Sequence, residues 1–281
     1  MKILETQGLC FSYEKGKEIL NNVNLSISRG CFVGLLGSNG SGKTTLLQQL
    51  NGLLKPSSGK VLLEGMDLKK LKDRNIFSIV GLVFQNPDDQ LFSFTVYEDV
   101  AYGVTNLGIQ GEILEQRVYD ALRLLDILDL KQEEIHKLSY GQRKRVAIAG
   151  VLAMRPQMLL LDEPTAGLDP MTSSNLMKTL KKVQKDEGVT IVVSTHEVDY
   201  IPMNCDYVYV LDKGRVVLEG IPQTVFGDKE VLRKANLRLP RIGHLMEILK
   251  DKDELNIDSS AMTISSARKA IKAFFEKKSG Q

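Results

Sequence analysis

Residues 31–48, CFVGLLGSNGSGKTTLLQ, decide the reading of the chain. They open apolar, with Phe32, Val33, Leu35 and Leu36 in the pattern of a short buried strand. The chain then turns through Gly37, Ser38, Asn39, Gly40, Ser41, Gly42, Lys43 and Thr44 and resumes as a helix through Thr45, Leu46, Leu47 and Leu50. The spacing is G-x-x-x-x-G-K-[ST], with the strand before it and the helix after it that the motif requires. Glycines let the backbone curl so that successive N–H groups face a di- or triphosphate. The helix N-terminus adds partial positive charge at the same point. Lys43 is placed to reach the β- and γ-phosphates, and the Thr44 hydroxyl to bind Mg²⁺. The pattern predicts a nucleotide-binding chain.

The 281 residues, 43% hydrophobic and 26% charged, are enough for a substantial core without disulfide or metal staples. A net charge of +2 is too mild to point to nucleic acid as a partner. Cys10, Cys31 and Cys205 show no metal-ligand or redox spacing and lie beside apolar residues, so they read as reduced small hydrophobes in a cytosolic setting. The opening MKILETQGL lacks the apolar core of a secretory signal. No run reaches the ~18 apolar residues of a spanning helix. Any work at a membrane is therefore expected of a peripheral subunit.

Taken in order, residues 3–12 and 19–28 alternate as two strands around a turn at Glu14-Lys15-Gly16-Lys17. Tyr13 ends the first strand, where an aromatic ring can stack on adenine or simply pack at a strand end, and position does not choose between them. Short strands are predicted at 60–64 and 79–84, the second ending in Gln85. The segment NPDDQLFSFTVYEDVAYG (86–103) reads as a loop feeding a helix. Three- and four-residue spacing over 111–129 predicts an amphipathic helix. Leu138-Ser139-Tyr140-Gly141-Gln142 precedes another helix that stops before Pro156. Apolar strands are predicted at 158–161 and 189–194 with a helix at 171–187 between them, then a hairpin over 207–218. From 221 the pattern turns helical (221–236, 241–251, 264–277) and reads as a separate C-terminal piece.

Asp162 and Glu163 follow four apolar residues, so both carboxylates project from the end of a buried strand. In a phosphate-loop enzyme the first acid orders Mg²⁺ and the second polarises an attacking water as general base. Ser139-Tyr140-Gly141 at a helix N-terminus is a second anion site by the dipole argument, or Ser139 is a plain N-cap. Its distance in sequence from Gly37–Thr44 allows it to meet a γ-phosphate held by a second copy. Gln85 and His196 also close apolar strands, at the ends where parallel α/β sheets bind ligands. Gln85 can order water or metal and His196 can donate to a γ-phosphate; each alone reads equally as a helix cap.

In this order the pieces resemble the ATP-binding cassette family: GSNGSGKT, Gln85, LSYGQ, LLLDEP, the Ala166-Gly167-Leu168-Asp169 loop and His196, over roughly residues 2–220. The resemblance implies an α/β phosphate-loop NTPase core of mainly parallel sheet, an antiparallel β subdomain and a helical signature subdomain. It implies a head-to-tail dimer with two ATP molecules, each between one phosphate loop and the opposing Ser139, Tyr140, Gly141 and Gln142. It places Tyr13 on adenine, Mg²⁺ on Thr44, Gln85 and Asp162, catalysis on Glu163, His196 and Gln85, and communication between sites on Asp169. The stretch 85–103 looks like the energy-coupling-factor importer branch, where it faces a membrane subunit, and Ala235–Leu249 is similar to cobalt-type members. Tyr140 stands where the signature usually has glycine, and Phe94 where this branch often has proline.

The resulting expectation is an ATPase subunit (1–220, with a 221–281 helical extension as dimer contact) at the cytoplasmic face of the cell membrane. It would pair with a second cassette, a copy or a paralogue, and with a transmembrane coupling protein and a substrate-binding membrane subunit. Cobalt or nickel uptake is expected, with a shared vitamin-uptake module as the alternative. A scaffold cassette that only binds nucleotide is disfavoured by Lys43, Asp162, Glu163 and His196 together. A soluble cassette acting on ribosomes or DNA is disfavoured by the single cassette and the lack of a basic face.

Overall fold

The alternation that opens the chain becomes β1 (Lys2–Ser12) and β2 (Glu18–Ser28), paired antiparallel. The computed structural model describes residues 1–14 and 16–279, so Lys15 of the expected turn lies outside the described residues. Next come β3 (Phe32–Leu36), α1 (Lys43–Asn51), β4 (Ser58–Leu63), β5 (Met66–Asp67), α2 (Asp73–Ile79) and β6 (Val80–Val83). A helical group follows: α3 (Val96–Asn106), α4 (Gly111–Leu124) and α5 (Tyr140–Ala153). Then the chain alternates through β7 (Met158–Asp162), α6 (Pro170–Glu187), β8 (Thr190–Thr195), α7 (Ile201–Asn204) and the hairpin β9 (Tyr207–Asp212) and β10 (Arg215–Gly220). Four helices close it: α8 (Pro222–Gly227), α9 (Lys229–Lys234), α10 (Arg241–Asp251) and α11 (Ile264–Ser279).

Two sheets result. One is antiparallel, in the order β2-β1-β4-β5, and the other runs β10-β9-β3-β8-β7-β6. In the second, β9, β3, β8, β7 and β6 are parallel and β10 is an antiparallel edge. Its central strands are covered on both faces, which is why they read as unbroken apolar runs. Alternation within each run divides the core. Leu159, Leu161, Ile191 and Val193 face a cluster shared with α3, α4, α5 and α6. Met158, Leu160 and Val192 face α1 and the antiparallel sheet.

Local chemistry sets the helix ends that matter later. Ser139 caps α5 in a capping box: its Oγ accepts the Gln142 N–H at 3.3 Å, and the Gln142 Oε1 accepts the Ser139 N–H at 2.8 Å. Asp169 caps α6 by accepting the N–H groups of Met171 and Thr172, with Pro170 in the first helical position. Hydrogen bonds from Thr172 hold the Asp169 carboxyl below its usual range.

The sequence expectation differs from the structure in several places: the helix read over 111–129 ends at Leu124, and the one read over 221–236 is two helices parted at Asp228. Ile79 ends a helix instead of opening a strand, because α2 runs into β6 without a loop. Beyond residue 220, Val225, Phe226, Leu232, Ala235 and Leu237 pack in the main core. The extension's own small core, Met246, Ile257, Ala261 and Ala267, lies further on. Between the two, Asp199 accepts the Arg241 backbone N–H at α10 and the Arg238 guanidinium, both at 2.7 Å. That ties the extension to the segment after His196. Among the described residues no helix is long and apolar enough to cross a membrane.

Phe226 is 0% exposed. Phe226→Ala is expected to destabilise the whole cassette by about 3–5 kcal/mol in urea unfolding, the range for deleting a buried aromatic side chain. A loss below about 1 kcal/mol would place 225–237 outside the cassette core.

Candidate functional site

Register brings the site residues together at the carboxyl ends of the parallel strands. β3 pairs with β8 and β8 with β7, so that Leu36 lies opposite Thr195 and Asp162 opposite Ser194. The Gly37–Gly42 loop leaves β3 at that edge and enters α1. At Gly37 a Cβ would come within 2.4 Å of Ser41 Oγ and 2.5 Å of the Leu211 carbonyl oxygen, so only glycine fits. Gly40 and Gly42 take φ values of +78° and +105°, conformations that side chains disfavour.

The loop wraps Lys43. Its ammonium donates to the carbonyl oxygens of Gly37 (2.9 Å) and Ser38 (3.2 Å) and lies 3.4 Å from Glu163 Oε1. The Thr44 hydroxyl donates to Asp162 Oδ2 at 2.6 Å, and the Ser194 hydroxyl donates to Asp162 Oδ1. Glu163, 5% exposed, also lies 3.1 Å from His196 Nδ1. Its backbone takes a left-handed φ of +46°. The Glu163 N–H donates to both the carbonyl (3.1 Å) and the hydroxyl (3.2 Å) of Ser194. A carboxylate is thus aimed from a fixed main chain at the phosphate loop.

A cleft of about 490 Å³ opens over these groups, lined by Tyr13, Asn39, Gly40, Gly42, Lys43, Thr44, Thr45, Gln85 and Glu163, with Ile19 at its wall. Tyr13 is exposed there, its hydroxyl 3.2 Å from Thr45 Oγ1 and its ring edge-on to Phe11. Tyr13 thus packs at the end of β1 and borders the cleft. Two observations match a polyphosphate. Ser41 Oγ is buried in the loop without a hydrogen-bond partner, and α1 starts at Lys43 with no side chain capping its free N–H groups. The all-oxygen set of Thr44, Gln85 and Asp162 suits a hard cation such as Mg²⁺.

Ser139, Tyr140, Gly141 and Gln142 do not line this cleft. Ser139 and Gln142 satisfy each other as a cap, and Tyr140 packs on the Gly167 backbone, where a Cβ would come 2.7 Å from Tyr140 Cε1. Asp169 is occupied in its own chain as the α6 cap. The exposed segment after β6 is built around two polar anchors. Gln90 accepts the Phe84 N–H and donates to the Ala147 carbonyl oxygen, while Asp99 accepts the N–H groups of Phe92 and Ser93.

Sequence reading missed Ser194, Gln90 and Lys144. Lys144 is fully buried, with its ammonium donating to the Gln85 carbonyl oxygen (2.7 Å) and the Glu163 carbonyl oxygen (2.9 Å). Burial pulls its pKa down to about 8, against the pull of Asp162 and Glu163 in the opposite direction. Arg143-Lys144-Arg145 looks like a solvated basic run. The available signal was helical phase: Lys144 lies on the same face as Ala147, Ile148 and Val151.

Lys43→Ala is expected to weaken ATP binding by about 10- to 100-fold, the range for losing hydrogen bonds to a charged group. Isothermal titration checks this, and unchanged affinity would contradict the assignment of the loop.

Comparison with known proteins agrees with this geometry. Residues 20–166 match the ABC transporter family model. The energy-coupling factor transporter ATP-binding protein EcfA2 of Clostridium perfringens is 49% identical over 277 residues, 98% of this chain and 97% of that one. EcfA of Methanocaldococcus jannaschii is 48% identical over 280 residues, 99% of this chain and 100% of that one. Among solved structures, cbiO1 of Clostridium perfringens, described as part of the ABC transporter complex cbiONQ, superposes with a TM-score of 0.76 at 49% identity, covering 88% of this chain and 99% of that one. The ATP-binding cassette MJ0796, solved as a dimer in a post-hydrolysis state with ADP and Pi, gives 0.72 at 30% identity, covering 78% of this chain and 99% of that one. The chain belongs to the ABC transporter family, as an ATPase subunit of the energy-coupling factor type.

Proposed function

We propose that this chain is the motor of an importer, hydrolysing ATP between two cassettes on the cytoplasmic face of the cell membrane to drive uptake of cobalt or nickel ion. The observation that carries the catalytic part is the grouping of Lys43, Thr44, Asp162, Glu163 and His196 at adjacent strand ends. Lys43, Ser41 and the α1 N-terminus bind the β- and γ-phosphates, and Tyr13 stacks on the adenine. Thr44, Gln85 and Asp162 would hold Mg²⁺, which supplies charge neutralisation on the phosphate oxygens. Glu163 takes a proton from the water that attacks the γ-phosphorus, giving ADP and phosphate. His196, against Glu163, orients that carboxylate and is placed to hydrogen-bond the γ-phosphate.

The signature residues stand outside the chain's own cleft, which supports their pairing with the cleft of a second cassette. Ser139, Tyr140, Gly141 and Gln142 would close over the partner's nucleotide, and Asp169 would link the two sites. The membrane-facing surface is assigned to the segment from Gln85 to Gly103. Phe92 (65% exposed) and Phe94 (63%) project there, and Phe92 stacks edge-on against Tyr102. Such an aromatic patch on an anchored loop suits an apolar helix of a coupling protein. The extension after Gly220 is assigned to holding two cassettes together, with Leu245 and Ile264 exposed on its surface. The cobalt assignment rests on the likeness of residues 235–249 to cobalt-type members.

Glu163→Gln is expected to keep ATP affinity, lose turnover by about 10²- to 10⁴-fold, and run as an ATP-dependent dimer on gel filtration. Turnover at the wild-type rate would contradict Glu163 as the base. The same tagged variant, extracted from native membranes in mild detergent, should carry metal-type membrane components with it. Recovery of vitamin-binding membrane proteins instead would overturn the cobalt assignment.

A further inference from the structure

Lys144 is the buried cation that the hydrolytic scheme leaves unused. It lies near the start of α5, one helical turn beyond Tyr140, and is surrounded by residues of the main core. A helix face that continues through Ala147, Ile148 and Val151 would accept leucine or methionine there. Burying an ammonium costs several kcal/mol unless it is paired or hydrogen-bonded. Its acceptors are two main-chain carbonyls from different elements: Gln85, just after β6, and Glu163, just after β7. The Tyr140 hydroxyl points to the same Gln85 oxygen at 3.5 Å, and the Tyr140 ring lies 5.8 Å from the Lys144 ammonium.

These bonds join three parts with different duties. Gln85 opens the segment that Gln90 and Asp99 fix, and α5 carries the signature. Glu163 presents the carboxylate from a left-handed backbone, a conformation that costs about 1–2 kcal/mol and persists only where its surroundings hold it. Ser194 holds the Glu163 N–H side, and Lys144 holds the carbonyl side. With both ends of the residue clamped, its main chain can shift only if one clamp shifts. The Ser194 clamp lies within the sheet. The Lys144 clamp is shared with the segment that opens at Gln85 and with the signature helix α5.

We propose that Lys144 is a positioning residue for ATP hydrolysis, fixing the Glu163 main chain to the Gln85 segment so that movement of that segment or of the signature helix is felt at the catalytic carboxylate. The inference rests on the reading of Glu163 as general base. Lys144 acts through the Glu163 carbonyl.

The test uses the full-length chain with Lys144→Met, which keeps volume and removes the donors, and Lys144→Gln, whose amide still donates. Lys144→Met is expected to lower kcat by about 10- to 100-fold, the scale of an ångström-level misplacement, while ATP affinity stays within about twofold. Lys144→Gln should recover part of the loss. Circular dichroism sets the folded fraction for each. An unchanged kcat per folded chain in Lys144→Met would overturn the proposal, as would an equal loss of kcat and of affinity. If Lys144→Met does not fold, Lys144→Gln decides: a lowered kcat at unchanged affinity supports the proposal, and a wild-type kcat overturns it. If neither folds, Lys144 is a folding determinant and the positioning role is wrong. Glu163→Gln measured alongside separates the two readings. Its retained turnover would refute the base assignment, whereas its loss with full turnover in Lys144→Met refutes only the role of Lys144.

Discussion

Four charged side chains, Lys43, Lys144, Asp162 and Glu163, are buried at one edge of a parallel sheet, and most of the architecture follows from having to satisfy them. An unpaired charge in such a place would cost far more than the net stability of a domain allows. Each is answered in a different way. Lys43 is wrapped by its own loop carbonyls, Asp162 by two hydroxyls, Glu163 by Lys43 and His196, and Lys144 by two carbonyls. Apart from the bonds of Lys43 to its own loop, these contacts join elements that lie far apart in sequence. A one-residue slip of β7 against β8 would move Asp162 away from Ser194 and send Leu159 and Leu161 to the opposite face. The two-sided apolar core and the site geometry therefore depend on the same register.

Gly37–Thr44 and the strand-end acids meet at one cleft, whereas the start of α5 lies outside that cleft's lining and is satisfied by its own cap. Asp169 and Ser139 are engaged in this chain as the N-caps of α6 and α5. What links the two ends of the chain is α5, with the signature at its start and Lys144 one turn inside. The Asp199 contacts to Arg238 and Arg241 add a tie from the segment after His196 to the C-terminal extension. Short polar contacts thereby connect α5 and the C-terminal extension to the segments around Glu163 and His196.

Most of this was legible in sequence where the signal is local. The strand–loop–helix around Lys43, the acids closing β7 and the Ser139 cap are encoded within about ten residues each, and backbone sterics and capping chemistry make them readable. Signals that depend on tertiary packing were not. α2 was lost because residues 79–84 form one apolar run, and nothing in the sequence marks Ile79 as the end of a helix. The limit at 220 followed a real change of pattern, yet Phe226 reaches back into the cassette core, which only packing reveals. Lys144 was hidden by its basic neighbours, although its helical phase put it on the buried face. Sequence carried the chemistry of each site residue, while the structure supplied which backbone each one holds.

The central claim is that a complete hydrolytic site takes its phosphate loop from one chain and its signature from another. Two differently tagged chains, one Lys43→Ala and one Gly141→Asp, each inactive alone, can be co-expressed and the mixed dimer isolated through both tags. In that dimer one site combines both defects and the other combines two intact halves. ATP turnover well above either parent is the predicted result. A mixed dimer that binds ATP but turns over no faster than its parents would contradict the account, because it would place the whole site within a single chain.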